Sequence, residues 1–509
     1  MKIGILQLAR YGDVVLCWPL VRALKRQYPG AEITMILRES YAEAVEGLTS
    51  LDNIITLQSK SILEPLWTEF FDTEEASQRI EMFLKCIENK NFDWLINLSF
   101  SPLSAEICSF FEGKCKITGY SRYPDETLRI HGEMAQYFFD QVGVQRWNRL
   151  HLLHIFSRML HLQLISDDFV PPLTNSAEAF DSIKLPTNYM SLHIGGSETH
   201  KVLSENFLVE FMSQFLSHDS REIVLLGSRS EEEKAQSILD CLPEEAKTRV
   251  HNLVGKTRIH DLYHVLAFAD FHLGGDSLPI QMTMLTQTPT VLLSFDGTRF
   301  WETGPLVRGS LVLKYRSNID LQATEIDDFI KCWVNGVQIR SPRVHVSLGF
   351  FESNSSGTFA QQWDEWVWQD LFQDLLNELY FDSSEKGYVY LSDIPVVKDG
   401  IEQLLVLHLT ILEFLNRGVM NPEQQRELAE LALRVDELSR QVGDHHPVLA
   451  GVVRWAEGVK SQIQPGTFEQ ILSQSRKIYS LLRRKIEIIK NNGSFLQSQM
   501  NAQFDQGDL

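Results

Sequence analysis

The chain has no apolar run long enough to cross a bilayer as a helix, so a helical membrane protein is not expected. Met1-Lys2 runs straight into a folded-strand pattern, and no secretory signal is expected. Cysteine is sparse: Cys17, Cys86, Cys108, Cys115, Cys241 and Cys332 are dispersed with no CxxC pair, which removes zinc ribbons and dithiol redox motifs. Cys17 and Cys108 lie in apolar surroundings and read as buried free thiols, which suits a reducing cytoplasm. Basic charge is short as well. Against 67 Asp and Glu there are 47 Lys and Arg, and the net charge of −20 argues against nucleic-acid backbones and against broad adhesion to anionic lipid. His151, His154 and His161 share one helical stretch, but no acidic or cysteine ligand joins them and no metal is expected there. What remains is the composition of a globular protein: 509 residues, 44% hydrophobic and 22% charged, enough for two or three domains.

The chain is organised around its first stretch. Lys2 to Leu8 is a short apolar run of the kind that makes a buried parallel strand, and it stops at Ala9-Arg10-Tyr11-Gly12-Asp13. Val14, Val15, Trp18, Leu20, Val21 and Leu24 then repeat at helical spacing. Strand, glycine turn and helix open a doubly wound α/β domain, whose ligands bind at the carboxyl ends of the strands. Gly12 permits close backbone approach, and Asp13 is either an N-cap of the helix or a carboxylate aimed into the cleft. Further strands are expected over Ala31 to Leu37, Asn53 to Leu57 and Phe92 to Leu98, with helices over Tyr41 to Gly47, Ile62 to Lys90 and His151 to Leu164. Ser166 to Pro172 reads as an interdomain linker.

A second α/β unit opens at Tyr189 to His193 and turns at Ile194-Gly195-Gly196-Ser197, with Lys201 close behind and a helix from about Ser204. A glycine-rich turn beside a lysine suits a diphosphate, because backbone N–H groups approach closely and the ammonium balances charge. Glu222 to Leu226 is the next strand, ending at Gly227-Ser228-Arg229, and Ser230 to Glu233 has the spacing of a capping box. Asn252 to Thr257, with Lys256, makes a further turn. The strand Ala269 to Leu273 leads into Gly274-Gly275-Asp276-Ser277-Leu278-Pro279-Ile280-Gln281.

Taken in this order, the motifs closely resemble glycosyltransferase family 9, the bacterial heptosyltransferases, over about Met1 to Pro305 with a domain end near Gly336. Gly12-Asp13-Val14 with Pro19 and Leu24-Lys25 is similar to that family's N-terminus, and Lys116 to Tyr120 to its "R.IG" turn. His193, Gly195 and Lys201 resemble "HPG…K", Asn252 to Thr257 resembles "NL.GKTS", and Asp276, Ser277 and Pro279 resemble "G.D[ST]GP.H". Ile194 stands where proline is usual and Leu278 where glycine is. Gln281 replaces histidine, and Arg229 lies where related enzymes often carry a glutamate that reaches the ribose. The resemblance implies two Rossmann-like domains facing a cleft (the GT-B arrangement) and an inverting transfer that needs no metal or other cofactor. The donor would be a nucleotide-sugar such as ADP-heptose, and the acceptor a glycan, lipid-linked or protein group. It implies Asp13 as general base, with Lys201 and the helix beginning near Ser277 stabilising the leaving diphosphate. Gly12, His193, Gly195, Gly196, Ser197, Arg229, Lys256, Thr257, Asp276, Ser277 and Gln281 would line the donor site. A catalytically inactive descendant that binds sugar or docks a partner is the alternative.

From Ser341 the texture changes. Ser353 to Gly357 reads as a flexible linker, and Trp363, Trp366, Val367 and Leu371 as a helical apolar face. Ile401 to Leu415, the heptad-spaced Leu428, Leu431, Val435, Leu438 and Val442, and Ile471 to Ile489 predict a helical bundle. Arg476, Lys477, Arg483, Arg484 and Lys485 make its last helix basic, which reads as a solvated face. The expected domains are an acceptor-side α/β domain over 1–168, a donor-binding α/β domain over 169–340, a helical module over 341–490 that could dock a partner protein, and a disordered tail over 491–509. The expected place is the cytoplasm, free or peripheral to the inner membrane.

Overall fold

β1 (Lys2–Gln7) is buried from Ile3 onward because it is an inner strand with a parallel neighbour on each side. After α1 (Tyr11–Gln27) the sheet grows through β2 (Glu32–Arg38), β3 (Asn53–Leu57), β4 (Trp94–Asn97) and β5 (Lys116–Arg122), in the order β3-β2-β1-β4-β5. The expected helix at Tyr41 is a 3-10 turn over Glu39–Val45. The expected turn at Lys116 is a strand: its first residues pair with β4, and from Gly119 it pairs antiparallel with β6 (Leu128–His131). The computed structural model describes residues 1–67, 71–144, 148, 150–172, 184–196, 198, 201–337, 339, 341, 343–347, 394–417, 420–445 and 447–504. The Ser353 to Gly357 stretch, Trp363, Trp366, Val367 and Leu371 lie outside them.

α2 (Leu152–Met159) follows, with His151 as its N-cap. Asp168 of the next turn is buried and takes Arg26 at 2.7 Å, while its carbonyl accepts from Arg22 at 2.9 Å. The segment expected to be a linker is thus pinned to α1 by an ion pair with one buried partner.

The second sheet contains β7 (Tyr189–His193), β8 (Glu222–Leu226), β9 (Val250–Asn252), β10 (Phe271–Gly275), β11 (Thr290–Phe295) and β12 (Leu311–Tyr315), all parallel. β13 (Val344–Val346) adds an antiparallel edge, so the sheet extends past the expected end at 340. The order is β13-β12-β11-β10-β7-β8-β9. Connections include α3 (Glu205–His218), capped by the Ser204 hydroxyl, α4 (Glu232–Cys241), α5 (Ile259–Ala267) and α6 (Leu278–Thr286). α3 lays Phe207, Phe211 and Phe215, one turn apart, on the sheet core with Phe271. The two Rossmann-like domains meet along α1. Trp18 is fully buried, donates its indole N–H to the Ala44 carbonyl at 2.9 Å and packs on Tyr263 of the second domain at 5.4 Å.

The chain divides into two compact units. Met1–Thr118 and His151–Ser356 form the first, and Gly119–Leu150 joins Gly357–Leu509 in the second. The described helices of the second unit are Glu133–Tyr137, continuing as a π-turn over Phe138–Val144, then Ile394–Leu415, Pro422–His445, Pro447–Lys460 and Phe468–Phe504. The last of these continues past Asn491, where the sequence suggests a disordered tail. The Ile130 N–H donates to Gln462 at 3.3 Å, and a Cβ on Gly458 would strike the Asp140 carboxylate. Residues 119–150, expected within the first domain, therefore pack with helices more than three hundred positions later. Arg476 donates to the Leu415 carbonyl at 2.7 Å and Arg483 pairs with Glu487 one turn on, while Lys477 and Arg484 of the same basic helix are exposed. No described helix is long and apolar enough to cross a membrane.

Candidate active site

In the first domain Arg10, not Asp13, is the N-cap of α1. Asp13 stands in the first helical turn and its Oδ2 accepts the Arg10 backbone N–H at 3.1 Å, so the carboxylate closes the helix start from inside. It remains at the cleft, half-buried. Burial is the main reason its pKa is raised above the usual carboxylate range; the Arg10 N–H and guanidinium oppose the rise, and Asp276 adds to it. A carboxylate raised in this way takes a proton more readily than an ordinary aspartate.

The second domain answers with the turn after β10. Ser277 is the N-cap of α6 and Pro279 lies in its first turn. The Ser277 hydroxyl donates to the Gly275 carbonyl at 3.1 Å and lies 3.1 Å from His193 Nδ1. Lys201 is nearly buried, with Nζ 3.2 Å from Asp276 Oδ2. Thr303 Oγ1 donates to Asp276 Oδ1 at 3.3 Å. Gln281, one turn along α6, is buried and donates through Nε2 to the Thr303 carbonyl at 3.0 Å. Its Oε1 would lie 3.0 Å from a Cβ on Gly12, so a larger residue there would crowd the end of the glutamine side chain. Asp13, Gly12, Lys201, Asp276, Ser277 and Gln281, widely separated in sequence, thus line one cleft.

Residues 80–314 match the family model of glycosyltransferase family 9 (heptosyltransferase). The chain is a glycosyltransferase that is similar to this family over those residues. It is 20% identical to lipopolysaccharide heptosyltransferase 3 of Escherichia coli (strain K12) over 298 residues, 56% of this chain and 79% of that protein. Among solved structures, the E. coli heptosyltransferase WaaC with ADP is similar at 16% identity and a TM-score of 0.49, with 65% of this chain and 100% of that chain covered. A family 9 glycosyltransferase from Veillonella parvula DSM 2008 is similar at 16% identity and a TM-score of 0.48, covering 66% and 97%. The family match stops at 314, so the helices from Ile394 onward lie outside it.

The other expected site residues of this glycosyltransferase fall into three groups. His193 is at the cleft end of β7 and neutral, its pKa lowered to about 4 by burial. Beside it the Gly196 N–H donates to Glu231 Oε1 at 3.2 Å, and a side chain on Gly195 would collide with the same carboxylate. Spacing put the capping box at Ser230; it is Ser228 with Glu231, whose Oε2 also accepts the Ser228 N–H at 2.6 Å. Glu231 is therefore a carboxylate hydrogen-bonded to the glycine-rich turn, two residues beyond the aligned position that Arg229 occupies. Arg229 itself points to water, 89% exposed. Lys256 is exposed and folds back to the Asn252 carbonyl at 2.9 Å; Thr257 is half-buried in the same turn. Neither is brought to Lys201 by any contact on the described residues. Leu278 is half-buried at the first position of α6, and Ser197 lies outside the described residues.

The histidine cluster has another role. His151 Nδ1 accepts the Leu153 N–H at 3.2 Å, its Nε2 lies 3.3 Å from the Gly304 carbonyl, and burial lowers its pKa to about 4. Among the described residues no group of three His, Cys, Asp or Glu side chains is gathered for a metal.

Proposed function

We propose that this enzyme moves a heptose-like sugar from a nucleoside-diphosphate donor to a glycan acceptor of the lipopolysaccharide type, with inversion and without a metal. The observation that carries the reading is the convergence on one cleft of a carboxylate with a raised pKa, Asp13, and an almost buried ammonium, Lys201. In a single displacement Asp13 takes the proton of the acceptor hydroxyl as its oxygen forms the bond to the anomeric carbon. The bond from that carbon to the diphosphate breaks, and its electron pair leaves with the diphosphate. Lys201 and the positive end of the α6 dipole meet the charge that develops there. Asp276 holds the Lys201 ammonium in place before the donor arrives. The lipopolysaccharide acceptor and the ADP-linked donor are drawn from what the similar E. coli proteins are named for.

The reading is tested by transfer assays with ADP-heptose and a heptose-accepting glycan, and by Lys201→Ala. The variant is expected to weaken ADP binding and slow transfer together, because the ammonium meets negative charge in both states. ADP affinity unchanged by Lys201→Ala removes the lysine from the site. A native protein that binds no nucleoside diphosphate overturns the donor assignment.

A further inference from the structure

Glu198 Oε1 lies 3.6 Å from Lys201 Nζ and also 3.6 Å from Arg10 Nη1, so one carboxylate oxygen stands between two cations supplied by opposite domains. From this we infer that Glu198 holds the place of a donor phosphate, and that Arg10 is a further diphosphate-binding residue reaching across the cleft from the first domain. The inference rests on the transferase reading above and deepens it.

Neither cation clamps the carboxylate. Charge-assisted N–H···O contacts close to about 2.7–2.9 Å when fully formed, and both separations here are longer. The Arg10 side chain is 71% exposed and that of Glu198 38% exposed, so the pair sits in water, where such bridges are weak and easily exchanged. The backbone beneath Arg10 is fixed, by contrast. It is the N-cap of α1, and its N–H is held by the Asp13 carboxylate. Its guanidinium thus swings from a rigid base directly beside the residue assigned as proton acceptor. Lys201 keeps Asp276 as a second partner at 3.2 Å, so losing Glu198 does not leave it unpaired. A diphosphate brings more negative charge and more oxygens than one carboxylate. Arginine's planar fork can bind two of those oxygens at once. Exchange of Glu198 for the diphosphate gives the leaving group a cation from each domain, and the bound donor then ties the two domains together.

Calorimetry with ADP on the full-length protein, with UDP as a second probe, tests this. Arg10→Ala is expected to weaken ADP binding by about 10- to 100-fold, the scale of a lost charge-assisted hydrogen bond, and Arg10→Lys to recover part of the loss. Glu198→Gln is expected to tighten ADP binding by about 3- to 10-fold, because a competing exposed charge is removed. In the double variant the gain from Glu198→Gln should shrink, since only Lys201 is left to benefit. Melting curves confirm folding, and if Arg10→Ala does not fold, the sign of the Glu198→Gln effect decides. Native ADP affinity in Arg10→Ala, or weaker binding in Glu198→Gln, overturns this inference and leaves the transferase reading standing. A folded native protein that binds neither ADP nor UDP overturns both.

Discussion

The two domains carry the same local device with opposite electrostatics. Each has a strand ending near glycine, an aspartate, and a helix aimed at the cleft: Gly12-Asp13 before α1, and Gly275-Asp276 before α6. Asp276 has a lysine at 3.2 Å and a threonine hydroxyl at 3.3 Å. Asp13 has one backbone N–H and a partly buried position, and burial raises its pKa. In the proposed reading the same side chain anchors a lysine at Asp276 and serves as the base at Asp13. Chain chemistry alone does not separate the two roles; the partners do.

That contrast can be broken most strongly at Asp13. Asp13→Asn should leave folding and ADP binding near native and slow transfer by about 10²–10⁴-fold, the usual worth of a positioned base. Near-native turnover would reduce Asp13 to a closure of the helix start. A buried acid sharpens the point away from the cleft. Asp140 is raised to about 7 by burial, the Gln136 amide lowering and Glu457 raising it. Because the folded form holds its proton more tightly than the unfolded one, stability falls as pH rises from about 4 to about 7. The loss should reach at most roughly 4 kcal/mol, from about three pKa units. Asp140→Asn should remove that slope in denaturant titrations run at several pH values, and an unchanged slope would show that Asp140 does not report on folding.

Asp276→Asn is expected to do less than Asp13→Asn, slowing transfer by about 10- to 100-fold through a loosened Lys201, the scale of one charged hydrogen bond. It should also move the acidic limb of the rate profile to lower pH, since a negative charge that raises the Asp13 pKa is gone. A limb that stays in place would uncouple the two aspartates. The smallest effect is expected at the altered turn. Leu278→Gly with Gln281→His should change donor affinity by about 1–2 kcal/mol, the worth of one or two altered hydrogen bonds, as read by calorimetry. A native protein silent to donor beside a variant that binds would mark the native turn as closed.

Much of the site was legible because its motifs are local. Gly12-Asp13, Lys201 and Asp276-Ser277 each sit at a strand end, where period-2 and period-3.6 patterns change over. Gln281 was placed at the pocket from its position one turn into α6, and the structure sets it against Gly12. What the pattern could not show was pairing across distance. Glu231 displaced Arg229 because a 3-10 turn precedes α4 and shifts the cap by two residues. Ser166 to Pro172 looked like a linker, since nothing local reveals that Asp168 meets Arg26. Residues 119–150 read as part of the first domain because adjacency in sequence is the default expectation, and β5 does begin there.

The partnership of residues 119–150 with the last third of the chain sets an order of assembly. A ribosome releases the early strands first, and β1, α1, β2 and β4 can find one another while synthesis continues. The stretch beginning at Gly119 cannot. Its Ile130 bonds to a residue 332 positions later, and Asp140 waits for the Gly458 turn of helix Pro447–Lys460. Until those helices emerge, an insert carrying Tyr120, Tyr137 and Phe138, all buried in the finished fold, hangs from a half-built domain. Such long closures are slow, because loop entropy is lost before any contact offsets it. The order of synthesis therefore leaves the 119–150 stretch without its C-terminal partners until the last third of the chain is made.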